Sequence, residues 1–171
     1  MTTDNVRCPD CGAVVPDVPE SRTGHTYIGG VAGCWAAYTE LIGRQFSDPR
    51  LAGLHMLAVD VYMAQHPGTP GRQAAQSVWV HLVGLCLVLE HGFDVVMSAR
   101  AKARVAEPDA TFEWLAPPAS LGPVTVLDVL AAPDAAGAAA VQRWAESVWA
   151  AWSPYPPAIR GRAAELLAGV S

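Results

Sequence analysis

The stretch HMLAVDVYMAQHPGTPGRQAAQSVWVHLVGLCLVLEHG, residues 55–92, decides the fold because it contains two apolar helices and the short turn between them. Apolar residues recur at helical spacing on both sides of HPGTPG (66–71), whose prolines and glycines cannot continue a helix. The pattern predicts helices over about residues 50–65 and 72–91, the second ending at Gly92 in a left-handed cap. A loop this short makes neighbouring helices antiparallel, as in an up-down bundle.

Helical patterning continues on both sides of this pair. CWAAYTELIGRQF predicts a first helix over about residues 34–46, which SDP then ends. Four later segments also show helical spacing: 93–107, 125–132, 134–152 and 159–170. Trp144, Val148 and Trp152 repeat at a four-residue step, which is typical of a helix face packed in a core. Residues 33–171 therefore predict an all-α, up-down helical bundle of about five to six helices.

The N-terminal part differs from the bundle. Residues 1–32 include VVPDVPE and YIGGVAG, and prolines and glycines at this density prevent a long helix. We expect an irregular lobe that is anchored to the bundle by a metal. Because 171 residues fit one hydrophobic core, residues 1–171 are predicted to form a single domain.

The composition limits the classes of partner. Hydrophobic residues make up 51% of the chain and charged residues 16%, so much apolar surface must face a core or a partner. We therefore expect a homo-oligomer. The net charge of −5 and the scatter of basic residues argue against nucleic acid. A small molecule remains a candidate ligand.

The hydropathy pattern indicates the cellular compartment of the protein and whether it spans a membrane. The segment MTTDNVRCPDCG lacks the basic and apolar regions of a secretory signal, so we expect a cytoplasmic protein. The longest apolar run, VWVHLVGLCLVLE (78–90), is short and contains a histidine. It is typical of a buried bundle helix, and we expect no membrane span.

The motif CPDCG places two cysteines at the spacing of half a metal site. Folding the first helix back on the second brings Cys34 opposite the end of the second helix, beside His66. Cys8, Cys11 and Cys34 with one histidine form a ligand set suited to zinc. His66 is favoured as the fourth ligand by the hairpin geometry, and His25 in the N-terminal lobe is the alternative.

A second group of polar residues lies within the two apolar helices. The same hairpin argument places His81 opposite the start of the second helix, near His55, with Tyr62 and Gln76 on the wall of a shared cavity. His55, His81, Tyr62 and Asp60 are therefore the candidate catalytic residues. Asp60 lies on a different face from His55, so it can instead orient the third helix. The alternative is that both histidines are hydrogen-bonded core residues.

Several motifs together resemble an uncharacterised bacterial domain family of about this length. They are CPDCG, HTY at 25–27, CWAAY at 34–38, HMLAVDVYMAQHPG at 55–68, QSVWVHL at 76–82 and the late VWAAW. The resemblance covers nearly the whole chain. It implies that the cysteine and histidine positions belong to the family's pattern, which favours a common site over scattered core residues.

Three functions are compatible with these residues. The leading hypothesis is a zinc-dependent enzyme acting on a small molecule. Its weakness is that the chain contains no HExxH, GxSxG, P-loop or dinucleotide fingerprint, and the sequence leaves open whether the protein is an enzyme. The alternatives are a non-catalytic interaction module with structural zinc, and a metal sensor or carrier. Four protein ligands would favour a structural metal, and three with water a catalytic one.

Overall fold

The computed structural model describes residues 4–19, 26–105, 110–153 and 155–168. These residues form a mostly helical structure with a single two-stranded sheet. The strands are β1 (Asn5–Arg7) and β2 (Val14–Pro16). The helices are α1 (Ala32–Ser47), α2 (Pro49–Ala52), α3 (His55–Gln65), α4 (Arg72–His91), α5 (Val95–Val105), α6 (Val126–Ala131), α7 (Gly137–Ala151) and α8 (Pro156–Ala168), with a short 3₁₀ turn at Asp134–Ala136.

The predominantly helical class is confirmed, while two details of the prediction differ. The described residues contain eight α-helices, more than the five to six expected, and the shortest has four residues. The predicted irregular lobe contains an antiparallel hairpin in which Asn5 pairs with Pro16 and Arg7 with Val14. Three-residue strands are too short to give an alternating sequence signal. The up-down order of the helices and the single-domain organisation stay predictions.

The hairpin packs directly on the start of α1. Val15 is fully buried. A Cβ added at Gly33 would lie 2.2 Å from the carbonyl oxygen of Pro16 and 2.9 Å from Cγ2 of Val15. Only glycine therefore permits this approach. The contact places the loop of the hairpin beside the first turn of α1.

The helix predicted over residues 50–65 is divided into α2 and α3. Asp48 precedes α2, and its Oδ1 accepts a hydrogen bond from the backbone N–H of Arg50 at 2.9 Å. The chain leaves the helix at Gly53, a residue that costs helix stability, and re-enters it at His55. His55 therefore begins α3, and its surroundings differ from those of a residue in the middle of a helix.

Helices α3 and α4 form the centre of the core. Residues from the hairpin to α8 are buried in one hydrophobic cluster around them, including Val61, Val78 and Leu82. Helix α4 alone among the described helices is long and apolar enough to cross a membrane, and 56% of that window is buried within the fold. Burial of this kind is what a core helix shows.

The tryptophan stripe of α7 packs against the end of α3. Trp144 and Trp152 are both fully buried. Trp144 Nε1 donates to Oε1 of Gln65 at 2.9 Å, and Trp152 Nε1 donates to the carbonyl oxygen of Ala64 at 3.0 Å. Gln65 Nε2 in turn donates to the carbonyl oxygen of Leu121 at 3.0 Å. These bonds fix the point at which the chain leaves α3, next to His66.

Candidate metal centre

The CPDCG segment forms the loop that joins β1 to β2. The backbone N–H of Cys8 donates to the carbonyl oxygen of Ala13 at 2.8 Å, and that of Gly12 donates to the carbonyl oxygen of Cys8 at 3.0 Å. Gly12 has a φ of +75°, a conformation that glycine adopts without strain. The tight turn directs the side chains of Cys8 and Cys11 to the same side.

The other two members of the site come from helix ends. Cys34 lies in the first turn of α1, and His66 is the residue at which the chain leaves α3. The loop after His66 is held close to residues 27–30. The backbone N–H of Gly29 donates to the carbonyl oxygen of His66 at 3.1 Å, and a Cβ added at Gly68 would lie 2.2 Å from the carbonyl oxygen of Tyr27.

Cys8, Cys11, Cys34 and His66, called here the Cys3His cluster, converge to a single point. Their ligand atoms all lie within 4.8 Å of one another, and each residue is at most 8% exposed. The Sγ atoms of Cys11 and Cys34 are 3.7 Å apart, and Cys34 Sγ is 3.3 Å from His66 Nε2. A tetrahedral ion with metal–sulfur bonds of about 2.3 Å and a metal–nitrogen bond of about 2.0 Å separates such atoms by about 3.8 and 3.5 Å. The cluster therefore fits one metal ion.

The imidazole of His66 is oriented by groups outside the cluster. Its Nδ1 lies 2.8 Å from the carbonyl oxygen of Tyr62. A carbonyl only accepts, so Nδ1 carries the hydrogen and Nε2 presents its lone pair to the cysteines. The ring of Tyr62 stacks on His66 at 4.0 Å and on Tyr38 at 4.0 Å. This stack fixes the plane of the ligand ring.

The four side chains shift one another's protonation. Hydrogen bonds to Cys11 and Cys34 lower the pKa of Cys8, whereas hydrogen bonds to the other two thiols, together with burial, raise the pKa of Cys34. Burial lowers the pKa of His66, but hydrogen bonds and charge from Cys11 and Cys8 outweigh it and raise the pKa to about 9. The thiols therefore favour positive charge at this point, which a metal ion would supply in place of the proton on Nε2.

The predicted ligands are brought together as the hairpin argument required. Cys34 meets His66, and the CPDCG cysteines complete the set. The alternative ligand, His25, lies outside the described residues. Cys86, the remaining cysteine, is buried in α4 with its Sγ 3.8 Å from Oε2 of Glu90, and it belongs to a different part of the core.

The structure gives the predicted catalytic residues different neighbours. Tyr62 is fully buried in the stack beside the metal ligands. The ring of His55 packs on Phe46 of α1 with centroids 4.5 Å apart, and burial lowers its pKa. His81 instead bonds to Asp60, with its Nδ1 2.7 Å from Oδ1. The expectation that Asp60 orients the helix carrying His81 agrees with this bond, while a cavity shared by His55 and His81 stays a prediction.

Sequence reasoning missed Lys102, which completes a polar group with Asp60 and His81. Its Nζ lies 2.5 Å from Oδ1 of Asp60, and the side chain is only 6% exposed. A Cβ added at Gly84 of α4 would lie 2.4 Å from Oδ2 of Asp60 and 2.8 Å from Cδ of Lys102. Lys102 reaches Asp60 from α5, whose packing the sequence pattern did not define. The sequence signal for this group was Gly84, because a glycine in the middle of a helix often marks close packing against another element.

A cavity of about 320 Å³ lies beside this group, along the first three turns of α4. Its described lining consists of Tyr27, Gln73, Gln76, Ser77, Val80 and His81. Gln76 therefore lies where the sequence placed it, on the wall beside His81, whereas His55 and Tyr62 do not contribute to the lining.

Comparison with known proteins places the chain in a family without assigning it an activity. No curated protein and no solved structure matches it. A family match spans residues 6–153 and therefore includes the whole Cys3His cluster as well as Asp60, His81 and Lys102. This agrees with the resemblance seen in the motifs, and the protein belongs to DUF5946, a family of unknown function.

Proposed function

We propose that the protein is a zinc-binding helical domain in which the Cys3His cluster holds one structural Zn²⁺. The observation that carries the proposal is the convergence of three sulfur atoms and one imidazole nitrogen within 4.8 Å. The ion would join the β1–β2 loop to the ends of α1 and α3. These segments are distant in sequence, and the hairpin is too small to be stable by itself.

The chemistry of the ligands favours zinc. Thiolates select soft or borderline ions, and a set of three thiolates with one imidazole is a common structural zinc site. Tyr62 supports this assignment because its carbonyl oxygen fixes the tautomer in which His66 presents Nε2 to the ion.

The same geometry favours a structural role over a catalytic one. A catalytic zinc keeps a position open for water or substrate, whereas four protein ligands close a tetrahedral site. Cys8, Cys34 and His66 are each at most 1% exposed, which also disfavours the exchangeable site of a sensor or carrier. The non-catalytic module is therefore preferred to the zinc-dependent enzyme, and any acid–base chemistry belongs to other residues.

The test is the metal content of the purified protein and of matched variants. We expect one zinc per chain in the wild type and its loss in Cys8→Ser and Cys34→Ser. Cys86→Ser is the matched control, because Cys86 is also a buried free cysteine but lies outside the cluster. Unchanged zinc in both cluster variants, or a wild type without transition metal, would overturn the proposal.

A further inference from the structure

The geometry points to a second site, separate from the zinc: the cavity along α4 binds a small uncharged hydroxyl-bearing molecule, whose hydroxyl donates a hydrogen bond to Nε2 of His81. Asp60 and Lys102 are positioning residues that hold the imidazole in the required tautomer and orientation. The inference does not depend on the metal, because none of these three residues belongs to the Cys3His cluster.

The state of the imidazole follows from its partner. Oδ1 of Asp60 lies 2.7 Å from Nδ1 of His81 and also 2.5 Å from Nζ of Lys102. A carboxylate paired with an ammonium group can only accept hydrogen bonds, so Nδ1 is the nitrogen that bears the hydrogen when the ring is neutral. Nε2 then carries a lone pair. Because His81 lines the cavity, a ligand there can use that lone pair.

The burial of the Asp60–Lys102 ion pair indicates that the pair does more than stabilise the fold. Asp60 is 1% exposed and Lys102 is 5% exposed. Desolvating two charges costs free energy that their attraction often fails to recover, and apolar residues of similar size would pack at least as well. Gly84 also leaves room for this pair at the centre of α4. The arrangement is explained if its purpose is to hold His81 at the edge of the cavity.

The lining defines the chemical class of the ligand. Gln73, Gln76, Ser77 and His81 are spaced so that they share one face of α4. Their amides and hydroxyl both donate and accept hydrogen bonds, and no Asp, Glu, Lys or Arg is among the described lining residues. Behind His81, the opposite charges of Asp60 and Lys102 neutralise each other. Such a wall suits a neutral polyol better than a carboxylate or an amine.

The probes for the test are erythritol and glycerol, added to the zinc-loaded wild-type protein while the ring signals of its histidines are followed by NMR. We expect a saturable shift of the His81 Hε1 signal. His91 is the internal reference, because it is exposed and lies outside the cavity. Acetate and methylammonium serve as charged probes of similar size, and neither should give a saturable shift.

The variant Gln76→Leu tests the wall without touching the buried triad. It should weaken polyol binding by about tenfold, the effect of one lost hydrogen bond to a ligand, while the zinc content and melting temperature stay unchanged. Asp60→Asn should alter the His81 signal itself, and Ser47→Ala, a serine outside the cavity, should alter neither binding nor signal. The inference is overturned if polyols produce no saturable shift, if acetate or methylammonium does, or if His91 shifts in parallel with His81.

Discussion

Cys34 Sγ lies 3.3 Å from Nε2 of His66, although 32 positions separate the two residues in the chain. Each stands at the end of a helix, Cys34 in the first turn of α1 and His66 just after α3. The contact is therefore a consequence of how these helices pack. The CPDCG loop, by contrast, belongs to no helix and joins two strands of only three residues each.

Removal of the proposed zinc should therefore affect the hairpin that carries CPDCG more than the helices that carry Cys34 and His66. After chelation under reducing conditions, we expect hydrogen exchange to accelerate strongly in residues 5–16, whereas the buried centre of α4 stays protected. The melting temperature should fall by about 10 °C or more, because the free energy of metal binding is part of the folding free energy. Equal acceleration in the hairpin and in α4 would show instead that the whole fold depends on the metal.

Gly30 gives a more local test of the site. It has a φ of +92°, and an added Cβ would lie 2.9 Å from Cδ2 of the His66 ring. Gly30→Ala should displace the imidazole and weaken zinc binding by about tenfold or more, as expected for at least 1–2 kcal/mol of backbone strain. Competition with a chromogenic chelator measures the change.

Gly43→Ala is the matched control for that substitution. Gly43 lies within α1, where an added Cβ meets nothing within 4 Å. The change should leave zinc affinity intact and raise stability by up to about 1 kcal/mol, because alanine is the better helix former. Equal zinc affinities in the two variants would contradict the close approach of Gly30 to His66.

The buried pair of Asp60 and Lys102 predicts an effect on stability. Lys102→Met should lower the free energy of unfolding by about 3–5 kcal/mol, because it leaves a buried carboxylate without its cation. Denaturant titration gives the value. The double variant Asp60→Asn, Lys102→Met should cost less than the sum of the two single changes. Strict additivity would mean that the two side chains do not interact.

The sequence was sufficient to predict that Cys8, Cys11 and Cys34 cluster with a histidine, because this grouping depends on local signals and one helical hairpin. The CPDCG motif indicates a metal-binding loop, and the turn near Asp48 folds the first helix back so that Cys34 lies opposite His66. The division of α2 from α3 was not predicted, since Gly53 is tolerated within many helices. His55, the first residue of α3, packs against Phe46 of α1.

Lys102 was missed for a different physical reason. The sequence predicts a helix over its segment, but the face that α5 presents to α3 depends on packing between elements that are not joined by a short loop. Periodicity gives no information about a charged residue buried by such packing. The same limit applies to Glu90 and Arg160, which meet across 70 positions of the chain.

Glu90 connects three helices through one carboxylate. Arg160 of α8 contacts it twice, with Nε 2.6 Å from Oε2 and Nη2 2.7 Å from Oε1, and Trp149 Nε1 of α7 donates to Oε1 at 3.0 Å. The hydrogen bonds from Arg160 hold the pKa of Glu90 below its usual value. A depressed carboxyl pKa stabilises the folded state at neutral pH, and this contribution is lost as the pH falls through the pKa of folded Glu90.

Arg160→Gln should therefore lower the melting temperature at pH 7, and the difference from the wild type should shrink as the pH falls below the ordinary range of a glutamate. The effect is small, because Arg160 is half exposed and solvent screens the pair. Arg162→Gln is the matched control, since Arg162 pairs with Glu165 of the same helix. It should change the melting temperature less at pH 7. A difference for Arg160→Gln that persists unchanged in acid would show that the arginine acts through packing of its aliphatic part and not through the charge of Glu90.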